Sequence, residues 1–276
     1  MYDIVCSLVI YKNDRKQLLD AIESFLDTDL KVRIVLIDNS PNDDLNDLKK
    51  EDSRVEYIHN PSNPGYGCTH NIAIRKYLDK TKYHLILNPD IYYSKGVIED
   101  IISFMNKDEL IGLVMPKVLY PDGEVQYLAK LIPSPFVFFA RRFLPIASLK
   151  KKISDKFELR FSGYDTIMEV PYLSGCFMVF RAEALKKING FDEKIFMHME
   201  DLDITRRCHD AGFKTIFFPK QIIYHDHQYK SFLTLANLKM YFSSAFYYFN
   251  KWGWFFDRKR NLINKQTIEN IKAIKN

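Results

Sequence analysis

The sequence predicts an α/β fold built on a mixed, mainly parallel sheet flanked by helices, with a C-terminal helical appendage. Over residues 3–106, short β-branched runs alternate with helical ones: IVCSLVIY, RKQLLDAIESFL, VRIVLID, VEYIH, THNIAIRKYL, YHLIL and VIEDIISFM. Repeated strand–helix alternation favours parallel pairing, because each helix is the crossover that carries the chain back across the sheet. At 276 residues and 47% hydrophobic content, the chain can also bury one large core.

The later elements follow less regularly. Residues 110–130 form a strand-like run holding the turn Pro121-Asp122-Gly123. Residues 131–152, LIPSPFVFFARRFLPIASLKKK, break the alternation with three prolines, clustered aromatics and then basic residues, which suits either a loop packed on the core or an interfacial segment. YLSGCFMVFR (172–181) has the composition of a buried strand. A helix from Ala182 should stop at Asn189-Gly190, and another should run from near Glu200 to Gly212. TIFF and QIIYH are then expected as strands, and the tail from Ser231 is helical in period and rich in aromatics. The expected division is a domain of residues 1–228, with an insertion at 130–160, and a helical segment of 229–276.

Composition excludes several classes. Cys6, Cys68, Cys176 and Cys208 show no C-x-x-C spacing, so neither a zinc site nor a disulfide framework is expected, only free thiols. The opening MYDIVCSLVIYKND lacks the basic region, apolar core and cleavage site of a secretory signal, which makes the cytoplasm the expected location. No uncharged apolar stretch approaches the roughly 20 residues of a spanning helix. The net charge of +5 is uneven: residues 130–160 carry +6 and residues 228–276 carry +7, leaving about −8 elsewhere. No motif for reading nucleic acid accompanies these basic segments.

Ligands on parallel sheets bind beyond the carboxyl ends of the strands. Three predicted strands end there in turn sequences: Asp38-Asn39-Ser40-Pro41, residues 60–67 (NPSNPGYG), and Asn88-Pro89-Asp90. Each alone is an ordinary turn; recurring on one edge, they bring carboxylates and amides to a single crevice. Asp90 is a hard oxygen ligand suited to Mg2+ or Mn2+, and Asn88-Pro89-Asp90 has Asp-x-Asp spacing with Asn in first place. Glu200, Asp201 and Asp203 form the densest acidic cluster. Carboxylates in a first helical turn are explained equally by capping, whereas the apolar approach Phe196, Met197, Met199 would partly desolvate them and raise their basicity. His225 and His227 stand two apart in a strand-like segment, the spacing of a metal-ligand pair or of two solvated imidazoles.

Seven motifs occur together and in order: VIYKN (9–13), LIDNS (36–40), NPGYGCTHNIAI (63–74), LILNPDI (85–91), SGCFMVFRAEAL (174–185), GFDEKIFMHMEDLDITRRCHDAGFK (190–214) and IIYHDH (222–227). On these the chain resembles the family 2 glycosyltransferases, specifically the branch containing rhamnosyltransferases of bacterial polysaccharide assembly. The resemblance implies a GT-A (Rossmann-like) fold, a nucleoside-diphosphate sugar donor and inversion at the anomeric carbon. It implies that Tyr11 and Asp38 contact the base and ribose, and that Asn63, Gly65, Tyr66, Asn71 and Asn88 border the nucleotide. Asp90 and His225 would hold one divalent ion, Mn2+ or Mg2+. Gly175 would allow close approach of donor or acceptor, Asp201 would be the base, and Glu200 would orient or bind the acceptor. The favoured donor is dTDP-L-rhamnose, with a UDP-hexose as the alternative, and the acceptor a glycan or lipid-linked glycan. Cys68-Thr69-His70 and His198-Met199 depart from the residues common in the family, the first on the nucleotide side and the second on the acceptor side.

A lipid-linked acceptor would account for the basic segments through attraction to an anionic membrane, with peripheral binding on the inner face of the cell membrane; packing of the tail on the body or on a second copy in a homodimer is the rival. A sugar nucleotidyltransferase or an inactive nucleotide-sugar-binding module is the alternative of another class. The chain shows no Gly-rich, Lys-bearing phosphate loop for the first, and the presence together of Asp90, Asp201 and His225 argues against the second.

Overall fold

The computed structural model describes residues 1–226 and 234–275. In chain order the elements are β1 (Tyr2–Ile10), α1 (Arg15–Leu26), β2 (Val32–Asp38), β3 (Val55–His59), α2 (Tyr66–Tyr77), β4 (Thr81–Leu87), β5 (Ile91–Tyr92), α3 (Val97–Met105), β6 (Ile111–Leu119) and β7 (Ala129–Lys130). Then come α4 (Pro135–Phe143), α5 (Ala147–Phe157), β8 (Met168–Glu169), β9 (Tyr172–Leu173), β10 (Phe177–Arg181), α6 (Ala182–Ile188), α7 (Glu200–Asp210), β11 (Lys214–His225), α8 (Leu235–Trp252) and α9 (Arg258–Lys275).

Strands β3-β2-β1-β4-β10-β6-β11-β5 form one sheet in that order, and β8 pairs with β11. β1, β2, β3 and β4 are parallel, and β6 and β11 are parallel to each other. β10 runs antiparallel between β4 and β6. Register then fixes the working edge. Ile10 pairs with Asp38, Asp38 with His59, and Phe177, at the start of the reversed strand, with Leu87. At the far side His225 pairs with Ile91.

Side-chain alternation builds the two layers. Ile4, Cys6, Leu8 and Ile10 of β1 face the helix pair α1 and α3, packing with Leu18, Phe25, Ile98 and Ile101. Val5 faces α2, where Ala73 and Tyr77 meet it. Farther along the same face, α6 and α7 cover Ile86, Leu113 and Phe180 with Leu185, Ile204 and Cys208. Asp14 caps α1 by accepting from the amides of Lys16 and Gln17, and α6 ends at Asn189 in the left-handed region (φ +57°), as its Asn-Gly signal indicates.

Two local expectations are revised, and the open alternative for the tail takes a definite form. Residues 135–157 are two helices rather than a loop: Ser134 accepts from Val137 N–H as the cap of α4, and Pro135 sits in the first turn, where it lacks no needed donor. TIFF and QIIYH are one strand, β11, interrupted by an irregularity between Phe218 and Ile222. The tail is docked on the body: Ala245, Tyr248 and Phe249 of α8 and Ile263 of α9 form one apolar cluster with Ile195, Met199 and Leu202. The expected domain boundary at 228 and the candidate ligand His227 lie outside the described residues. Cys6, Cys176 and Cys208 are buried free thiols, and Cys68 is a half-buried one.

Candidate active site

The strand ends deliver their residues to one edge. Asp90 follows β4, and His225 closes β11; His225 Nε2 lies 3.2 Å from Asp90 Oδ1. The imidazole is oriented from behind, because Nδ1 lies 2.9 Å from Gln126 Oε1 while Gln126 Nε2 donates to the His225 carbonyl at 2.8 Å. With Nδ1–H given to Gln126, the Nε2 lone pair faces the carboxylate side. An oxygen and a nitrogen converging in this way form a mixed donor set suited to Mn2+ or Mg2+. Among the described residues no group of three His, Cys, Asp or Glu side chains gathers there.

A chain of contacts runs from Asn88, two residues before Asp90, to the acidic cluster. The Tyr66 hydroxyl, in the first turn of α2, lies 2.8 Å from both Asn88 Oδ1 and the Gly175 carbonyl oxygen, its one proton shared between them. Burial first, and then the charges of Glu200 and Asp201, push its pKa up, so it stays a donor. Gly175 N–H in turn donates to Asp201 Oδ2 at 3.2 Å. A Cβ at Gly175 would lie 3.2 Å from the Asp201 Cβ, so this glycine makes room for the carboxylate itself.

Asp201 also accepts from Leu202 N–H at 2.8 Å and from the Tyr172 hydroxyl at 3.2 and 3.3 Å. Glu200 differs. It is buried, Oε2 has no hydrogen-bond partner among the described residues, and burial followed by the neighbouring charge of Asp201 raises its pKa to about 8. The desolvation expected for the acidic pair thus falls on Glu200, which is protonated at neutral pH. Asp203, the third member, is fully buried and turned away to Arg207, Lys251 and Trp252.

On the nucleotide side, Tyr11 stands half exposed just after β1. Asp38 is buried; its oxygens accept from Ser40 N–H at 2.8 Å and the Tyr57 hydroxyl at 2.7 Å. Asn39 Nδ2 reaches Thr69 and Asn63, tying the loop after β2 to the start of α2. Gly65 (φ +101°) lets Tyr66 N–H reach the Phe196 carbonyl at 2.9 Å; a Cβ there would lie 2.4 Å from that oxygen. Asn71 stands apart from this group. Its amide is spent on the loop after α6, accepting from Phe191 N–H and donating to the Phe191 carbonyl and Glu193.

Three contributors escaped sequence reasoning: Gln126, Tyr172 and Lys130. Lys130 pairs with Tyr172 between β7 and β9, and its ammonium lies 4.9 Å from the centre of the Tyr172 ring. Burial lowers its pKa, with the charge of Asp201 opposing. These residues lie in strands of only two residues or in irregular chain, where periodicity gives no signal.

Comparison with known proteins gives the family and the fold. Residues 6–188 match the glycosyl transferase family 2 description, and residues 155–231 match one for the N-terminal domain of galactosyltransferase. The chain belongs to glycosyl transferase family 2 and is a glycosyltransferase. It is 24% identical over 219 residues to the N-acetylglucosaminyl-diphospho-decaprenol L-rhamnosyltransferase of Mycobacterium tuberculosis, covering 72% of this chain and 68% of that one. To rhamnosyltransferase WbbL of Escherichia coli (strain K12) it is 26% identical over 261 residues, 91% and 90% of the two chains. A crystal structure of GalNAc-T7 with UDP, GalNAc and Mn2+ superposes with a TM-score of 0.63 at 16% identity, over 83% of this chain and 44% of that one, a likeness of GT-A fold.

Proposed function

We propose that this glycosyltransferase moves L-rhamnose from dTDP-L-rhamnose to a lipid-linked glycan acceptor in bacterial surface polysaccharide assembly, with metal dependence and inversion at the anomeric carbon. The observation that carries the chemistry is the contact chain Asn88–Tyr66–Gly175–Asp201, which links an acidic residue to the strand end that also bears Asp90, the partner of His225. The choice of rhamnose rests on the relatives named above.

In this reading Asp201 accepts the proton of the acceptor hydroxyl as that oxygen attacks C1 from the face opposite the diphosphate. Gly175 N–H and Tyr172 hold the carboxylate in place. A single displacement with a single base inverts the centre. Protonated Glu200 orients the acceptor by hydrogen bonding. Tyr11 and Asp38 border the base and ribose, Asn63, Gly65, Tyr66 and Asn88 the remainder of the donor, and Asn71 holds the adjoining loop. Asp90 and His225 would hold the divalent ion, which when bound would supply electrostatic stabilisation of charge on the diphosphate.

The protein acts peripherally on an anionic membrane surface, at the inner face of the cell membrane. Phe136, Phe143, Phe255 and Phe256 are exposed, and Lys150, Lys151 and Lys152 project into solvent nearby in sequence on α5. Among the described residues no helix is long and apolar enough to cross a bilayer. Each cation near an anionic surface contributes about 1 kcal/mol. Flotation with anionic liposomes at low salt, lost at high salt, is the expected behaviour; failure to float sinks the membrane assignment.

The test of the reaction is release of nucleoside diphosphate from a panel of sugar nucleotides with Mn2+ or Mg2+ and lipid-linked acceptors. Metal-dependent turnover of dTDP-L-rhamnose, lost in Asp201→Asn, is expected. Turnover of a UDP-hexose alone would overturn the donor assignment, and absence of any nucleotide binding would overturn the reading as a whole.

A further inference from the structure

A cavity of about 640 Å3 opens between α4, α5 and α9, outside the site described above. Leu131, Ile132, Val137, Ile153, Phe157 and Ile268 give it apolar walls. Lys156, Lys265 and Lys272 also line it, facing a single carboxylate, Glu269, which lies 3.8 Å from Lys265. Arg260 completes the lining. Its side chain is only 5% exposed; Nη1 lies 3.5 Å from the Trp254 carbonyl oxygen and 4.0 Å from Asp257, while Nε has no hydrogen-bond partner among the described residues. An apolar hollow with an excess of cations and a buried guanidinium whose Nε is unpaired among the described residues fits neither a purely apolar nor a purely polar ligand.

We propose that this cavity binds an anionic amphiphile, taking its hydrocarbon chain between α5 and α9 and its phosphate at the lysines and Arg260. The position links it to the reaction. Phe157, one wall of the cavity, packs 6.4 Å centroid to centroid from Tyr172, whose hydroxyl touches Asp201. Leu131, on another wall, directly follows Lys130 and takes its backbone N–H to the Phe157 carbonyl. The cavity therefore backs onto the acceptor side of the base. Its natural occupant is the phosphate-bearing lipid end of the acceptor, an assignment that rests on the lipid-linked reading above.

The test uses the full chain and dodecyl phosphate below its micelle concentration, followed by isothermal titration calorimetry. Saturable binding is expected, weakened about tenfold or more by Ile153→Trp, which fills the hollow, and by Lys272→Glu, which inverts a surface charge. Both variants should turn over donor with a soluble, chain-free acceptor at the wild-type rate while losing transfer to a lipid-linked one. That pairing separates failure of the cavity from failure of the transferase reading. The proposal is overturned if dodecyl phosphate does not bind, or if Ile153→Trp binds it as wild type does. It is equally overturned if inorganic phosphate competes as well as the amphiphile, or if dodecanol binds as tightly.

Discussion

Asp257, between α8 and α9, grips Arg206 of α7 through two parallel hydrogen bonds of 2.7 and 2.9 Å, with side chains only 4% and 2% exposed. The guanidinium also lies 4.1 Å from the centre of the Trp252 ring and 3.2 Å from the Tyr248 hydroxyl. The helix that begins with Glu200 and Asp201 is thus clamped by the tail. Breaking a buried pair by removing one partner leaves an uncompensated charge and costs about 3–5 kcal/mol. Asp257→Ala should lower the unfolding free energy by that amount in urea titration. Transferase activity should fall along with the fraction folded.

Gly65→Ala should be far more damaging than an ordinary glycine substitution. It combines φ +101° with a Cβ 2.4 Å from the Phe196 carbonyl, so the loop before Glu200 must move. A destabilisation of about 1–3 kcal/mol and a larger loss of kcat are expected. A variant with both wild-type stability and wild-type kcat would contradict the packing described.

Gln126→Leu removes the group that holds the His225 ring at 2.9 Å without touching Asp90. Loss of such an orienting partner lowers metal affinity by about 10–100-fold. The concentration of Mn2+ giving half-maximal turnover should rise by that factor, with little change in rate at saturating metal.

The two acidic residues should separate cleanly. Burial keeps Glu200 protonated until about pH 8, so Glu200→Gln reproduces the form present at neutral pH. Its rate at pH 7 should stay within about tenfold of wild type, with the pH dependence near 8 removed, whereas Asp201→Asn should lose about 10²–10⁴-fold. The reverse order would transfer the role of base to Glu200.

Ser7 bridges two fully buried imidazoles, lying 2.7 Å from His70 and 2.9 Å from His84. Burial lowers both pKa values, that of His84 to about 3. In the unfolded chain each returns to about 6.5. The unfolded state therefore binds more protons as pH falls, and stability present above about pH 6.5 is lost below it. Each histidine adds a slope of up to about 1.4 kcal/mol per pH unit. Urea unfolding between pH 7.5 and 5 should show this decline, and His84→Gln should flatten part of it.

The working edge was legible because its residues follow long, periodic strands: Asp38 ends β2, and Asp90 lies just past β4 beside the reversed strand that brings Gly175. Two-residue strands leave no such trace. Lys130 and Tyr172 meet only because β7 and β9 pair, and Gln126 reaches His225 across 99 residues of sequence. The prolines at 133, 135 and 145 obscured α4 and α5, although Ser134-Pro135 is itself a helix-start signal. Trp252 has an interfacial composition in the sequence, yet in the fold its indole N–H donates to Asp203.

The reversal of β10 also has a consequence for how the enzyme is made. Because that strand meets the edge at its beginning, Gly175 takes its place only when Phe177 pairs with Leu87, and His225 follows as β11 closes on β5. A chain emerging from the ribosome carries Tyr11 and Asp38 long before it carries Asp201 and His225. Non-local pairings of this kind form late in folding. The candidate site is therefore complete only once residue 225 has been made and β11 has paired with β5.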